Sequence, residues 1–157
     1  MKKILLILIV LCVKVSAQNT PSYPEPKEGF KRVDLLFPKI ENPKDYKVQV
    51  KFSIEATVRE CSDASFVFNK KNLKEEYGIQ QDSRYPYYVI ENGAAEIFEG
   101  MNSDCKSDKR IKQKIKSSQD IFIEYQSSYP RPFYIPESWS VEYRIWKADD
   151  KYTTLKN

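Results

Sequence analysis

From Tyr46 to Arg59 the chain alternates without a break. Tyr46, Val48, Val50, Phe52, Ile54, Ala56 and Val58 are apolar, and Lys47, Gln49, Lys51, Ser53, Glu55, Thr57 and Arg59 between them are polar. Successive side chains of a strand point to opposite faces, so this period of two predicts a strand with one dry and one wet face. A strand of that length is expected to carry a bend or a bulge. Shorter apolar runs predict strands at Val33–Phe37, Tyr87–Ile90 and Ile121–Tyr125. A further alternating run puts Val141, Tyr143 and Ile145 on one face and Glu142, Arg144 and Trp146 on the other.

Between these runs lie the breaks. Pro21, Pro24 and Pro26 keep the stretch before Glu28 extended. Lys70 to Tyr77 has room for one short helical turn that Gly78 would end. Asn92-Gly93 is a strong turn dipeptide, Ala94 to Cys105 reads as mixed and loop-like, and Tyr129 to Pro132 reads as a break. Several short strands and no long helix predict an all-β domain, a barrel or a sandwich. No internal repeat is visible.

The N-terminus has a different character. Lys2 and Lys3 precede an apolar run from Ile4 to Val13, followed by Val15-Ser16-Ala17. This is the plan of a secretory signal peptide over 1–17, cut after Ala17, with 18–157 as the exported domain. The run falls short of the roughly 20 apolar residues that span a membrane. Cys12 would suit a lipoprotein signal, but Leu11 stands where such a signal needs a small residue.

Export changes the composition. The 157 residues hold 26 basic and 22 acidic side chains, a net charge of +4. Losing Lys2, Lys3 and Lys14 with the leader leaves basic residues ahead by one. Of the 3 cysteines, Cys12 leaves too, and Cys61 and Cys105 remain as an even pair in an oxidising compartment. They read as a disulfide, worth about 4 kcal/mol on the chain-entropy argument.

There is no histidine. That excludes Ser/His/Asp and Cys/His nucleophile pairs and any His-ligated metal, and three cysteines do not make a four-sulfur cage. No metal, no cofactor and no catalytic residues are expected. Lys106, Lys109, Arg110, Lys112, Lys114 and Lys116 form a basic cluster. With so little net charge it reads as the wet face of a strand, Ile111 and Ile115 turned inward, and not as a nucleic-acid site. Glu75-Glu76 and Asp149-Asp150 are adjacent pairs whose members point apart on a strand, so they read as solvated charge. The run around Trp146 carries bulky residues on both faces, so one face needs cover from the same chain or from another.

Particular stretches also carry a resemblance. They are Tyr23-Pro24, Glu28-Gly29-Phe30-Lys31-Arg32, the alternating strand running into Cys61, Tyr87-Tyr88-Val89 and Cys105. The most specific are Tyr134-Ile135-Pro136 and Val141 to Ala148 with Asp149-Asp150-Lys151 after them. In these the chain resembles the ecotin family, periplasmic inhibitors of trypsin-fold serine proteases in Gram-negative bacteria.

The resemblance implies a small β-barrel or sandwich whose C-terminal strand, with Tyr143 and Trp146, is exchanged in a homodimer. It also implies a Cys61–Cys105 disulfide and a reactive loop just ahead of Cys105, ending Gly100-Met101-Asn102-Ser103-Asp104. The partners would be trypsin-, chymotrypsin- and elastase-like proteases, with no nucleic acid and no membrane once the leader is gone. Val89 and Cys105 lie slightly further apart here than in the family. Counting back from the cysteine then puts Asn102 at the anchor position. Met101 is preferred, because a flexible thioether fills pockets of different shape. A secondary protease contact would come from Gln81-Asp82-Ser83-Arg84-Tyr85 and from Glu124 to Arg131, including Gln126 and Ser128. The tryptophan-containing sequence of the family's first loop is absent. The rival reading is a periplasmic β-barrel module binding a glycan or another protein, with Tyr129 to Tyr134 as its surface.

Overall fold

A computed structural model describes residues 23–77, 85–100, 104, 107–149 and 151–155. The expected leader at 1–17 lies outside the described residues. Among the described residues ten strands follow in order: β1 Phe30–Leu35, β2 Tyr46–Arg59, β3 Asp63–Phe68, β4 Leu73–Tyr77, β5 Pro86–Ile90, β6 Ala95–Gly100, β7 Arg110–Ser117, β8 Ile121–Glu124, β9 Arg131–Pro136 and β10 Trp139–Lys147. Short 3-10 turns stand at Pro43–Asp45 and Lys70–Asn72. No described helix is long and apolar enough to cross a membrane.

The strands form two mixed sheets. One has the order β1-β9-β5-β4; the other has β10-β2-β7-β3-β6, with β8 also on β2. They make an open sandwich and not a closed barrel. The dry face of β2 supplies Val48, Val50, Phe52 and Val58 to the core, against Phe66 and Phe68 of β3 and Ile90, Phe133 and Ile135 of the other sheet. Trp139 sits among Phe52, Phe66 and Phe68 at ring distances of 5.5, 5.2 and 5.6 Å. Each such side chain contributes about 2 kcal/mol by leaving water.

Four expectations are revised. β2 runs its whole length as one strand, because the irregularity falls on its partner: β7 pairs as far as Lys116 with Ser53, and β8 resumes at Ile121 with Val50. Lys70–Tyr77 is a 3-10 turn only at its start; Leu73–Tyr77 is β4, paired with β5. The loop-like Ala94 to Cys105 contains β6, an edge strand exposed along most of its length. The break at Tyr129 to Pro132 is the entrance to β9, the strand between β1 and β5. Pro132 lacks an N–H, and the β5 ladder starts beyond it, at Phe133 opposite Tyr88.

Asn92-Gly93 does turn the chain, with the Asn92 side chain accepting from Ala94 N at 2.9 Å. It joins β5 to β6 across the two sheets. A Cβ on Gly93 would lie 2.5 Å from Pro136 Cγ, so this crossing needs glycine.

Candidate functional site

The 101–109 connection joins two strands of the larger sheet, and both of its ends are held by the same turn. On the outgoing side, Glu99 accepts from the backbone N–H of Arg59 at 3.0 Å and from Arg110 Nη2 at 2.7 Å. The same Nη2 donates to Thr57 O at 2.7 Å. The Arg59 N–H first and then the Arg110 guanidinium hold the Glu99 carboxyl below the usual carboxylate range. Gly100 faces Asp63 across the β6–β3 ladder, where a Cβ would lie 2.9 Å from the Asp63 carbonyl oxygen. On the returning side, Glu60 N donates to Lys109 O at 2.9 Å, and Lys109 Nζ meets the Glu60 carboxylate at 2.9 Å. Ser62 closes the turn with two bonds to Arg59 O. Cys61, in the middle of this turn, is disulfide-bonded.

At one end of the sandwich, residues 59–63 therefore anchor both flanks of the connection. Gly100 is its exposed first post. Met101, Asn102, Ser103 and Cys105 lie outside the described residues. The clamp residues Glu99, Arg110, Glu60 and Lys109 were not singled out from the sequence for this role. Their pairing depends on the β2–β7 register, which composition does not reveal.

Of the second expected surface, Gln81, Asp82, Ser83 and Arg84 lie outside the described residues. Tyr85 is half-buried, and its ring meets Tyr129 edge-on at 4.5 Å. Gln126 braces that loop by accepting from Ser128 N at 2.6 Å and Tyr129 N at 3.3 Å. The two segments read separately in the sequence thus touch. Below them Arg131 is buried, 5.5 Å from the Tyr129 ring, and its Nε and Nη1 have no hydrogen-bond partner among the described residues. Tyr23 donates to Pro130 O at 3.1 Å, and burial above all pushes its hydroxyl up to about 12.

The two loop regions stand at opposite ends of β2. Glu124 faces Lys47, and Arg110 faces Arg59. At about 3.3 Å per residue, the two ends are on the order of 40 Å apart.

β10 forms an edge of its sheet, paired with β2 of its own chain from Trp139 opposite Ile54 to Lys147 opposite Tyr46. Tyr143 and Trp146 occupy opposite faces as expected and are 42 % and 46 % exposed. Tyr143 packs edge-on against Phe37 at 5.1 Å. On the other face Gln49 is buried, and its Oε1 accepts from Trp146 Nε1 at 2.8 Å and from Arg144 Nε.

Lys106 lies outside the described residues, and the rest of the basic cluster is a paired face: Lys109 with Glu60, Arg110 with Glu99, Lys112 with Glu55, and Lys114 and Lys116 with Glu142. Ile115 is buried as expected and Ile111 partly so. The aromatic surface proposed for a glycan at Tyr129 to Tyr134 is not available, because Phe133 and Tyr134 are buried in β9. Among the described residues no cluster of His, Cys, Asp and Glu is arranged to hold a metal ion.

A family model for ecotin matches residues 19–148. An ecotin of Pseudomonas fluorescens strain Pf-5 is 30 % identical over 151 residues, covering 92 % of this chain and 89 % of that protein. An ecotin of strain Pf0-1 of the same species is 25 % identical over 146 residues, covering 92 % and 86 %. A putative ecotin-like protein of Methylobacillus flagellatus is 23 % identical over 135 residues, covering 85 % and 78 %.

Proposed function

The chain belongs to the ecotin family, and on that premise we propose that it is an exported, periplasmic inhibitor of trypsin-fold serine proteases. The loop ahead of Cys105 enters the protease cleft as a substrate would, with Met101 as the anchor in the primary pocket and Gly100, Asn102 and Ser103 flanking it. The observation that carries this reading is the double clamp. Glu99 and Gly100 on one side and Lys109 on the other all end on residues 59–63. A loop held so closely has little ordering entropy left to lose on binding. It also leaves slowly after any cleavage, because its two halves stay fastened. A Cys61–Cys105 disulfide would add a covalent tie at the same turn.

The protein acts as a homodimer in which each subunit's β10 takes the slot beside β2 of the other. The second footprint, Tyr85 with the Gln126 to Ser128 loop, then meets the protease held by the partner. The placement of the two loop regions at opposite ends of β2 supports this division, since one protomer presents them in different directions. Two linked footprints raise affinity through effective concentration.

Titration of trypsin, chymotrypsin and neutrophil elastase with the exported form tests the reading. Stoichiometric inhibition of at least one supports it. No inhibition of any at roughly micromolar protein, where even a modest specific complex forms, overturns it.

A further inference from the structure

The outer face of β10 fits its slot through side chains as well as through the ladder. Glu142 stands opposite Lys51, and its two oxygens take Lys114 Nζ at 2.8 Å and Lys116 Nζ at 2.6 Å. Ser53 Oγ donates to the same carboxylate at 3.3 Å. Two residues further on, Arg144 and Trp146 share the Oε1 of Gln49. Lys51 itself is taken by Asp120 at 3.0 Å and by Ser117 O at 3.0 Å.

Every one of these partners lies on β2, on β7 or in the turn after β7. None lies on β10. The contacts belong to the slot and would follow β10 whichever chain supplied it. A slip of one residue would turn Glu142 to the other face. A slip of two would bring Arg144 opposite Lys51 or Glu142 opposite Gln49 in place of Arg144, so the face rejects wrong registers as well as favouring the right one. The link that must open for exchange is only Glu137-Ser138, between β9 in one sheet and β10 in the other. Short connections of this kind favour swapping an element between identical chains.

We propose that Glu142, gripped by Lys114 and Lys116, is a partner-selecting key, through which the slot accepts β10 from a second copy of this chain. The inference rests on the exchanged homodimer proposed above. The roles of donor strand and receiving slot can be separated by charge reversal. One variant carries Glu142→Lys; the other carries Lys114→Glu with Lys116→Glu. Each alone sets like charges together in its own slot and in its copy's slot alike, so each loses stability in both arrangements, by roughly tenfold or more. Of the two, only their mixture offers matched slots. Mixed in equal amounts, or unfolded and refolded together if either folds poorly alone, they form a 1:1 heterodimer with both keys matched. Native mass spectrometry reads its composition and sedimentation its stability. A single chain carrying all three reversals is also matched and dimerises like the parent.

A mixture that holds the heterodimer only in its statistical share beside the two homodimers would overturn the key while leaving the exchange standing. A sound triple variant with no heterodimer in the mixture would show β10 staying on its own chain, which also overturns the proposal. A parent chain that is monomeric in the same sedimentation run would instead defeat the dimer reading itself.

Discussion

The guanidinium of Arg110 lies 2.7 Å from the carboxylate of Glu99, across the mouth of the 101–109 connection. The pair joins the penultimate residue of β6 to the first residue of β7, and Glu99 extends it to the backbone of Arg59. Both side chains are partly solvated, so the pair adds little to global stability. Its effect falls on the order of the loop. Glu99→Ala is expected to weaken protease inhibition by about fivefold to tenfold, mostly through faster dissociation, with Tm nearly unchanged. Surface plasmon resonance alongside thermal melting separates the two. A drop in Tm with unchanged dissociation would place the pair in the scaffold alone.

Gly100 makes the opposite prediction. Its missing Cβ leaves room for the Asp63 carbonyl, and that neighbour is backbone, which does not give way like a side-chain tip. Gly100→Ala should force β6 away from β3 and cost about 1–3 kcal/mol of stability. Urea denaturation measures it, and an unchanged midpoint would count against the close approach.

The anchor assignment can be tested by charge. A carboxylate buried in an apolar or carboxylate-bearing pocket is strongly disfavoured. Met101→Asp should abolish inhibition of chymotrypsin and elastase, and Asn102→Asp should reduce it less. The reverse order in inhibition constants would make Asn102 the anchor.

These residues also show what could be read before folding. β2 was legible because its dry face meets one core, which buries Val48, Val50, Phe52, Ala56 and Val58. Gln49 and Ser53 on the polar face are nonetheless buried too, against Trp146 and Glu142. β9 was hidden because Arg131, Pro132, Phe133, Tyr134 and Ile135 are all buried, and a strand covered on both faces has no alternation to display. β6 was hidden for the opposite reason. Ile97 and Phe98 are 45 % and 48 % exposed at the sheet edge, so neither face carries a clean pattern. The loops of the candidate site came from family resemblance, not from physics. Their clamp is a set of pairs such as Lys109 with Glu60, far apart in sequence, that only the strand register brings together.

Glu142 gives a pH dependence with a definite sign. Lys114 and then Lys116 hold its carboxyl at about 2, well below an ordinary glutamate. Lys51 stands opposite it on β2, and Arg144 lies two residues on along β10. A carboxylate whose folded pKa is depressed binds fewer protons folded than unfolded. Its stabilisation is fully present above the unfolded value near 4.5 and is lost as pH falls from there through about 2. The side chain is 33 % exposed, so solvent screening limits the gain to about 1 kcal/mol. The parent should therefore lose more stability than Glu142→Gln between pH 5 and pH 2, and the two curves should converge at the acid end. Guanidinium melts would blur this through their own salt, so urea denaturation at fixed low ionic strength is the measurement to use. Parallel curves over the whole range would mean that the two lysines do not grip Glu142 in solution.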